Sequence, residues 1–145
     1  MSQQQDAKNH TRYHPLQHFF WLPLSAITIL TSLVALITAL VKGSSALIYG
    51  LVLAAAFIGL ISGFLARRNA LIVQDRVIRM EEQFRYYRLA GKMPSEKITV
   101  KQWIALRFAS NEEFVALADQ AAQKNMAGSD IKASIKQWRA DEYRV

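Results

Sequence analysis

Cysteine does not occur anywhere in the 145 residues. Disulfides, thiolate nucleophiles and Cys-ligated zinc or iron–sulfur sites are thereby excluded, which agrees with a cytosolic soluble part. Helix breakers are scarce too, with three prolines and six glycines, and neither type occurs between residues 64 and 90. Charge is missing from two whole blocks, 23 residues at 19–41 and 21 residues at 46–66. At about 1.5 Å per residue each block is long enough to cross a hydrocarbon core of about 30 Å. An ordinary soluble globular domain is excluded. Roughly 100 residues remain for water, enough for one small helical module and too few for a catalytic domain of usual size. No enzyme is expected.

What is present fixes an expected topology. The first block follows an 18-residue polar tail with no small-residue cleavage site, which does not have the form of a signal peptide, so the block is expected to be retained. Lys8 and Arg12 precede it, Arg67, Arg68, Arg76 and Arg79 follow the second block, and Lys42 alone lies between them. The positive-inside rule therefore predicts both termini in the cytosol. So short a link, Lys42-Gly43-Ser44-Ser45, makes the spans antiparallel neighbours in a membrane hairpin. The expected organisation is an N-tail and interfacial segment at 1–22, spans at 23–41 and 46–66 joined by an outer turn at 42–45, a juxtamembrane amphipathic helix at 67–91, and a cytosolic helical module at 92–145. Tyr13, Phe19, Phe20 and Trp21, bracketed by Pro15 and Pro23, read as an aromatic belt at the headgroups. Pro15 would open a short interfacial helix, and Pro23 would begin or kink the span.

His10, His14 and His18 recur every four residues, a spacing that would stack imidazoles on one face of a continuous helix and suits a metal or haem. Pro15 interrupts that helix, and neither span supplies a second ligand. Solvation at a wet interface is the plainer reading; a haem- or metal-binding redox accessory using His14 and His18 is the alternative. No cofactor is otherwise implied. Without Asp, Glu, Lys, Arg or His in either block, a proton relay or ion pathway at membrane depth has no visible carrier.

Small side chains form stripes down both spans. Ser25, Thr28, Ser32, Ala35 and Ala39 recur at alternate threes and fours in the first, and Ala56, Gly59, Gly63 and Ala66 do so in the second. Such stripes let helices approach closely where lipid gives no hydrophobic drive. They would face each other within one hairpin, or the Gly59/Gly63 pair would meet another chain. The same period continues through Ala70, Val73, Val77, Met80, Phe84 and Tyr87 to a stop at Gly91, with Pro94 beyond. That is a coiled-coil-like seam. Arg76 and Glu81 flank it at positions that would pair between chains in a parallel two-stranded coil. The seam is expected to be covered either by the chain's own C-terminal helices or by self-association. Nine of the basic side chains and four acidic ones fall in 67–101, against six of each in 102–145. This places the positive charge beside the membrane, where Arg67, Arg68, Arg76, Arg79, Arg85 and Arg88 would meet anionic headgroups. A nucleic-acid partner is not expected, since no clamp or recognition-helix signature accompanies these arginines.

Three short helices are expected beyond Pro94. Thr99 and Gln102 have capping-box spacing, Ser110 and Glu113 repeat it, and Ser129 would cap a third helix with Ile131, Ile135 and Trp138 on one face. Trp103, Phe108, Phe114, Leu117, Ile135 and Trp138 are the expected core. Glu112 and Glu113 beside Arg107 are explained by the helix dipole rather than by acid–base chemistry.

Three stretches in combination, NHTRYHP at 9–15, QDRVIRMEE at 74–82, and IALRFASNEEF at 104–114 with IKQWRADEYRV at 135–145, resemble an uncharacterised bacterial family of small two-span membrane proteins, family 6526 of the domain-of-unknown-function series. The resemblance covers nearly the whole chain. It implies an inner-membrane location and no established activity. Its polar motif positions match Asn9, Arg12, Asp75, Arg76, Arg79, Glu82, Arg107, Glu113, Trp138, Arg139, Asp141 and Arg144 here. The terminal residues among these would dock an Arg or the C-terminal carboxylate onto the juxtamembrane helix. The expected product is an all-α inner-membrane protein with a structural or interaction role, as a homo-oligomer or as accessory subunit of a larger membrane complex.

Overall fold

The computed structural model describes residues 14–141. Tyr13, His10, Asn9, Arg12 and Arg144 lie outside the described residues. The fold divides into two compact units, with the division falling between Ala70 and Leu71.

In the first unit Pro15 opens a π-helical turn, Leu16–Trp21, which passes without a break into α1, Leu22–Val41. Pro23 explains the local winding. It has no N–H to donate, and its ring crowds the carbonyl four residues back, at Phe19. The turn carrying that carbonyl is widened, so that Leu22 N–H bonds to Gln17 O. Four hydroxyls along α1, those of Thr28, Thr31, Ser32 and Thr38, bond within the helix: Thr28 Oγ1 donates to Leu24 O at 2.8 Å and Ser32 Oγ to Thr28 O at 2.7 Å. This is how a helix keeps Ser and Thr in an apolar run without water. α1 ends in a full Schellman motif. Gly43 takes φ +67° and donates to Leu40 O at 3.2 Å, while Ser44 N–H reaches Ala39 O at 3.0 Å.

α2 runs from Leu47 to Ala90, 44 residues, or about 66 Å at the α-helical rise. With no proline inside it, nothing ends it until Gly91, where φ is +68° and the N–H bonds to Tyr87 O at 2.9 Å. Among the described residues, two helices are thus long and apolar enough to cross a membrane.

The second unit joins the part of α2 from Leu71 onward to α3 (Val100–Leu106), α4 (Asn111–Lys124) and α5 (Gly128–Ser134). Thr99 and Gln102 close the expected capping box on α3, with Gln102 N–H to Thr99 Oγ1 at 3.3 Å and Thr99 N–H to Gln102 Oε1 at 2.8 Å. Gln102 is itself buried, and its amide bonds to Ala121 O and Met126 O, fastening α3 to the end of α4. Trp103, Phe108, Phe114, Leu117 and Ile135 are buried in one core with Trp138 packed against it, and Tyr86 of α2 joins them.

Three expectations of the C-terminal module are corrected. Ser110 precedes α4, but Glu113 does not turn back to it; the carboxylate accepts Lys136 N–H at 3.1 Å and Gln137 N–H at 3.0 Å instead. Ser129 is not a cap, because α5 begins one residue earlier, after Ala127. Trp138 is not helical. α5 stops at Ser134 and Ile135 is extended, so 135–141 forms a short clasp, with Trp138 bridged antiparallel to Ala109. Backbone groups of this segment are satisfied by distant partners, which local spacing does not encode.

Candidate functional site

In the first unit, Ser32 and Ala39 are buried, and Ser25, Thr28 and Ala35 half-buried, so the expected stripe is the least exposed face of α1. On α2 that face runs through Leu53, Ala56, Leu60 and Gly63, whereas Gly59 and Ala66 are exposed. Gly63 is the close approach: a Cβ there would stand 2.6 Å from Trp21 Cε2, while one at Gly59 would meet nothing within 4 Å. Close packing therefore uses one glycine of the pair. His14 and His18 do not converge as two imidazoles, since His18 Nδ1 lies 3.0 Å from the His14 carbonyl oxygen.

Beyond Ala70, α2 has two distinct faces. Ile78, Glu82, Arg85 and Tyr86 are buried, and the last three contact the C-terminal module. Arg85 is the centre of the polar contacts. Its Nη1 donates to Glu82 Oε2 at 2.9 Å, its Nη2 to Ala109 O at 2.7 Å and its Nε to Asn111 Oδ1 at 2.9 Å. The guanidinium also lies 4.1 Å from the centroid of the Phe114 ring. A planar fork aims donors on three separate nitrogens at a carboxylate, a carbonyl and an amide, whereas lysine would need all three acceptors to converge on one nitrogen. Burial pushes the Glu82 carboxyl above its usual range, partly offset by Arg85, and the same burial lowers Arg85. Tyr86 donates its hydroxyl to Asp119 Oδ1 at 2.6 Å, and its phenol is pushed up to about 12, by burial first and then by that bond.

The clasp completes this site. Arg107 Nε pairs with Asp141 Oδ2 at 2.8 Å, Ser110 N–H bonds to Gln137 O, Arg139 N–H to Phe108 O, and the Phe108 and Trp138 rings stack at 5.1 Å. Arg139 Nη1 reaches Glu82 Oε1 at 3.8 Å. Arg107, Glu113, Trp138, Arg139 and Asp141 are thus brought to one region at the α3–α4 junction, and Arg139 extends from it to α2.

The other face is uncovered. Val73, Val77, Met80, Phe84 and Tyr87 are all exposed, Met80 at 69% and Phe84 at 68%. The protein's own helices therefore do not cover the seam; Ala70, at its start, is half-buried. Arg68, Arg76 and Arg79 are exposed and Arg67 half-buried, but Arg85 belongs to the docked face and is not available to headgroups. Sequence pattern alone does not single out Arg85, Tyr86, Asn111 and Asp119 as partners in docking the module. A signal was there: Ile78, Glu82, Arg85 and Tyr86 share the helical face opposite the seam. Two charges among them made that face look solvated.

Among the described residues, no group of three or more His, Asp or Glu is placed to hold a metal ion. The geometry is that of a docking site between α2 and the C-terminal module, built from charge-assisted hydrogen bonds. No curated protein and no solved structure matches the chain. A family model described as a family of unknown function (DUF6526) matches residues 1–145, and the chain belongs to that family.

Proposed function

We propose that the protein is a non-enzymatic assembly factor of the bacterial inner membrane, spanning it twice as an antiparallel hairpin with both termini in the cytosol. The observation that carries the reading is the division of labour along α2: one face docked by the chain's own module, the other an exposed apolar seam. A stripe of that size is unusual on a lone soluble surface and marks an interaction site. The positive-inside balance and the approach of Trp21 to Gly63 support the hairpin. Arg67, Arg68, Arg76 and Arg79 would hold the start of the cytosolic segment near anionic headgroups.

In this reading the buried Arg85 network fixes the orientation of the module on α2, and lateral packing of the free face joins the chain to a copy of itself or to a larger membrane complex. The experiment is the mass of the particle released from the source membrane by gentle extraction, read by native mass spectrometry. The expected result is a discrete species heavier than the 16.4 kDa chain. A lone chain under conditions that keep the module folded contradicts the reading.

A further inference from the structure

The uncovered face has a register. Counting from Val73, the exposed apolar residues alternate by four and three, which assigns Val77 and Phe84 to a positions and Val73, Met80 and Tyr87 to d positions of a heptad repeat. Glu81 and Arg88 then fall at e, and Arg76 and Gln83 at g. The buried residues fall elsewhere in the repeat: Ile78 and Arg85 at b, Tyr86 at c, Glu82 at f. The module thus occupies the back of the helix and leaves the a and d positions exposed, with their e and g flanks at most half-buried.

Resting on the reading of α2 as an assembly helix, we propose that this seam pairs in parallel with the same seam of a second copy of the chain, the Val73 to Tyr87 residues interdigitating between two helices. Two copies inserted the same way in one membrane run α2 in the same direction, and charge complementarity selects the partner. In a parallel pair each g position faces the e position of the next heptad in the other chain, so Arg76 meets Glu81 of the second copy, twice by symmetry, and Gln83 meets Arg88. No like charges oppose each other. An antiparallel pair centred on Met80 sets the two Glu81 side chains against each other on one flank. The seam is short, and helices of this length are marginal alone in water. Here the helix is already ordered by its docked face, so pairing does not bear the cost of forming it.

The chain's lack of cysteine makes the test direct. Single substitutions Val73→Cys, Val77→Cys, Met80→Cys and Phe84→Cys are made in the full chain, with Arg79→Cys, exposed but off the seam, as control; membranes are oxidised mildly before extraction. Parallel pairing predicts a disulfide-linked dimer from all four seam positions and none from Arg79→Cys, because matching a and d positions face each other at every level. Glu81→Arg should lower the dimer yield several-fold, and Arg76→Glu with Glu81→Arg should restore it. A dimer from Met80→Cys alone overturns the parallel arrangement. Adducts with a different protein overturn self-pairing and leave the assembly reading standing. No product at any seam position overturns the proposal, and the particle mass then separates its failure from that of the wider reading: a heavier particle keeps assembly by another surface, a lone chain removes both.

Discussion

Removing the Arg85 side chain is the sharpest perturbation of the docked face. Arg85→Ala deletes three hydrogen bonds, to Glu82, Ala109 and Asn111, and the ring contact to Phe114. It leaves a carboxylate 5% exposed with its close partner gone. Stripping one member from a buried ion pair costs about 3–5 kcal/mol, chiefly the penalty of the charge left behind. Arg139, 3.8 Å from Glu82 Oε1, offsets part of this, so a loss near the lower end, about 3 kcal/mol, is expected. The assay is urea unfolding of the full chain in detergent, followed by near-ultraviolet circular dichroism of the buried aromatic cluster. The loss should depend on pH. Glu82 in the folded protein already sits above its ordinary value, and without Arg85 it rises further, so the folded state binds a proton more tightly than the unfolded one. Stability of the variant then falls as pH rises through that window, and the deficit is smaller at pH near 5 than near 8. A change below about 0.5 kcal/mol at neutral pH, the range of an unremarkable surface substitution, would refute the claim that this network holds the module on α2.

Other contacts of the module and of the first unit carry expectations of their own. Glu113→Ala removes the acceptor of Lys136 and Gln137 N–H and should cost about 2 kcal/mol, with those two amides losing hydrogen-exchange protection ahead of α4. Gly63→Ala should displace the Trp21 indole and shift its fluorescence, while Gly59→Ala, facing open space, should not. Tyr86→Phe should abolish the tyrosinate absorbance step expected at about 12. Because that phenol is raised in the folded state, its contribution is complete below the ordinary phenol value near 10 and is lost as pH climbs toward 12.

How much of this was legible beforehand depends on the range of the interactions involved. The apolar blocks, the stop at Gly91 and the Thr99 capping box are written in local sequence, as missing charge, a residue free to take positive φ, and two side chains three apart. The clasp is not. Ile131, Ile135 and Trp138 have helical spacing, yet Lys136 and Gln137 give their N–H groups to Glu113, and Ser110 gives its own to Gln137 O. A local pattern cannot reveal that a glutamate with capping spacing has a partner more than twenty positions away. The choice of face on α2 was hidden for a related reason. Glu82 and Arg85 read as solvated in a hydropathy pattern, and only tertiary pairing makes their burial tolerable. Apolar Val73, Met80 and Phe84 stayed outside while a salt bridge went in.

The most direct test of the account is a spin-label scan of α2 in native membranes, one cysteine at a time from residue 51 to residue 88, reading accessibility to oxygen and to a water-soluble nickel chelate. The account predicts oxygen access without nickel access through residue 66. Beyond Ala70 it predicts two shielded faces, one at Ile78, Glu82, Arg85 and Tyr86 and one at Val73, Val77, Met80, Phe84 and Tyr87, with Arg79 open. Nickel access through 51–66 would contradict the membrane-spanning claim. A freely accessible seam would contradict assembly through the free face of α2.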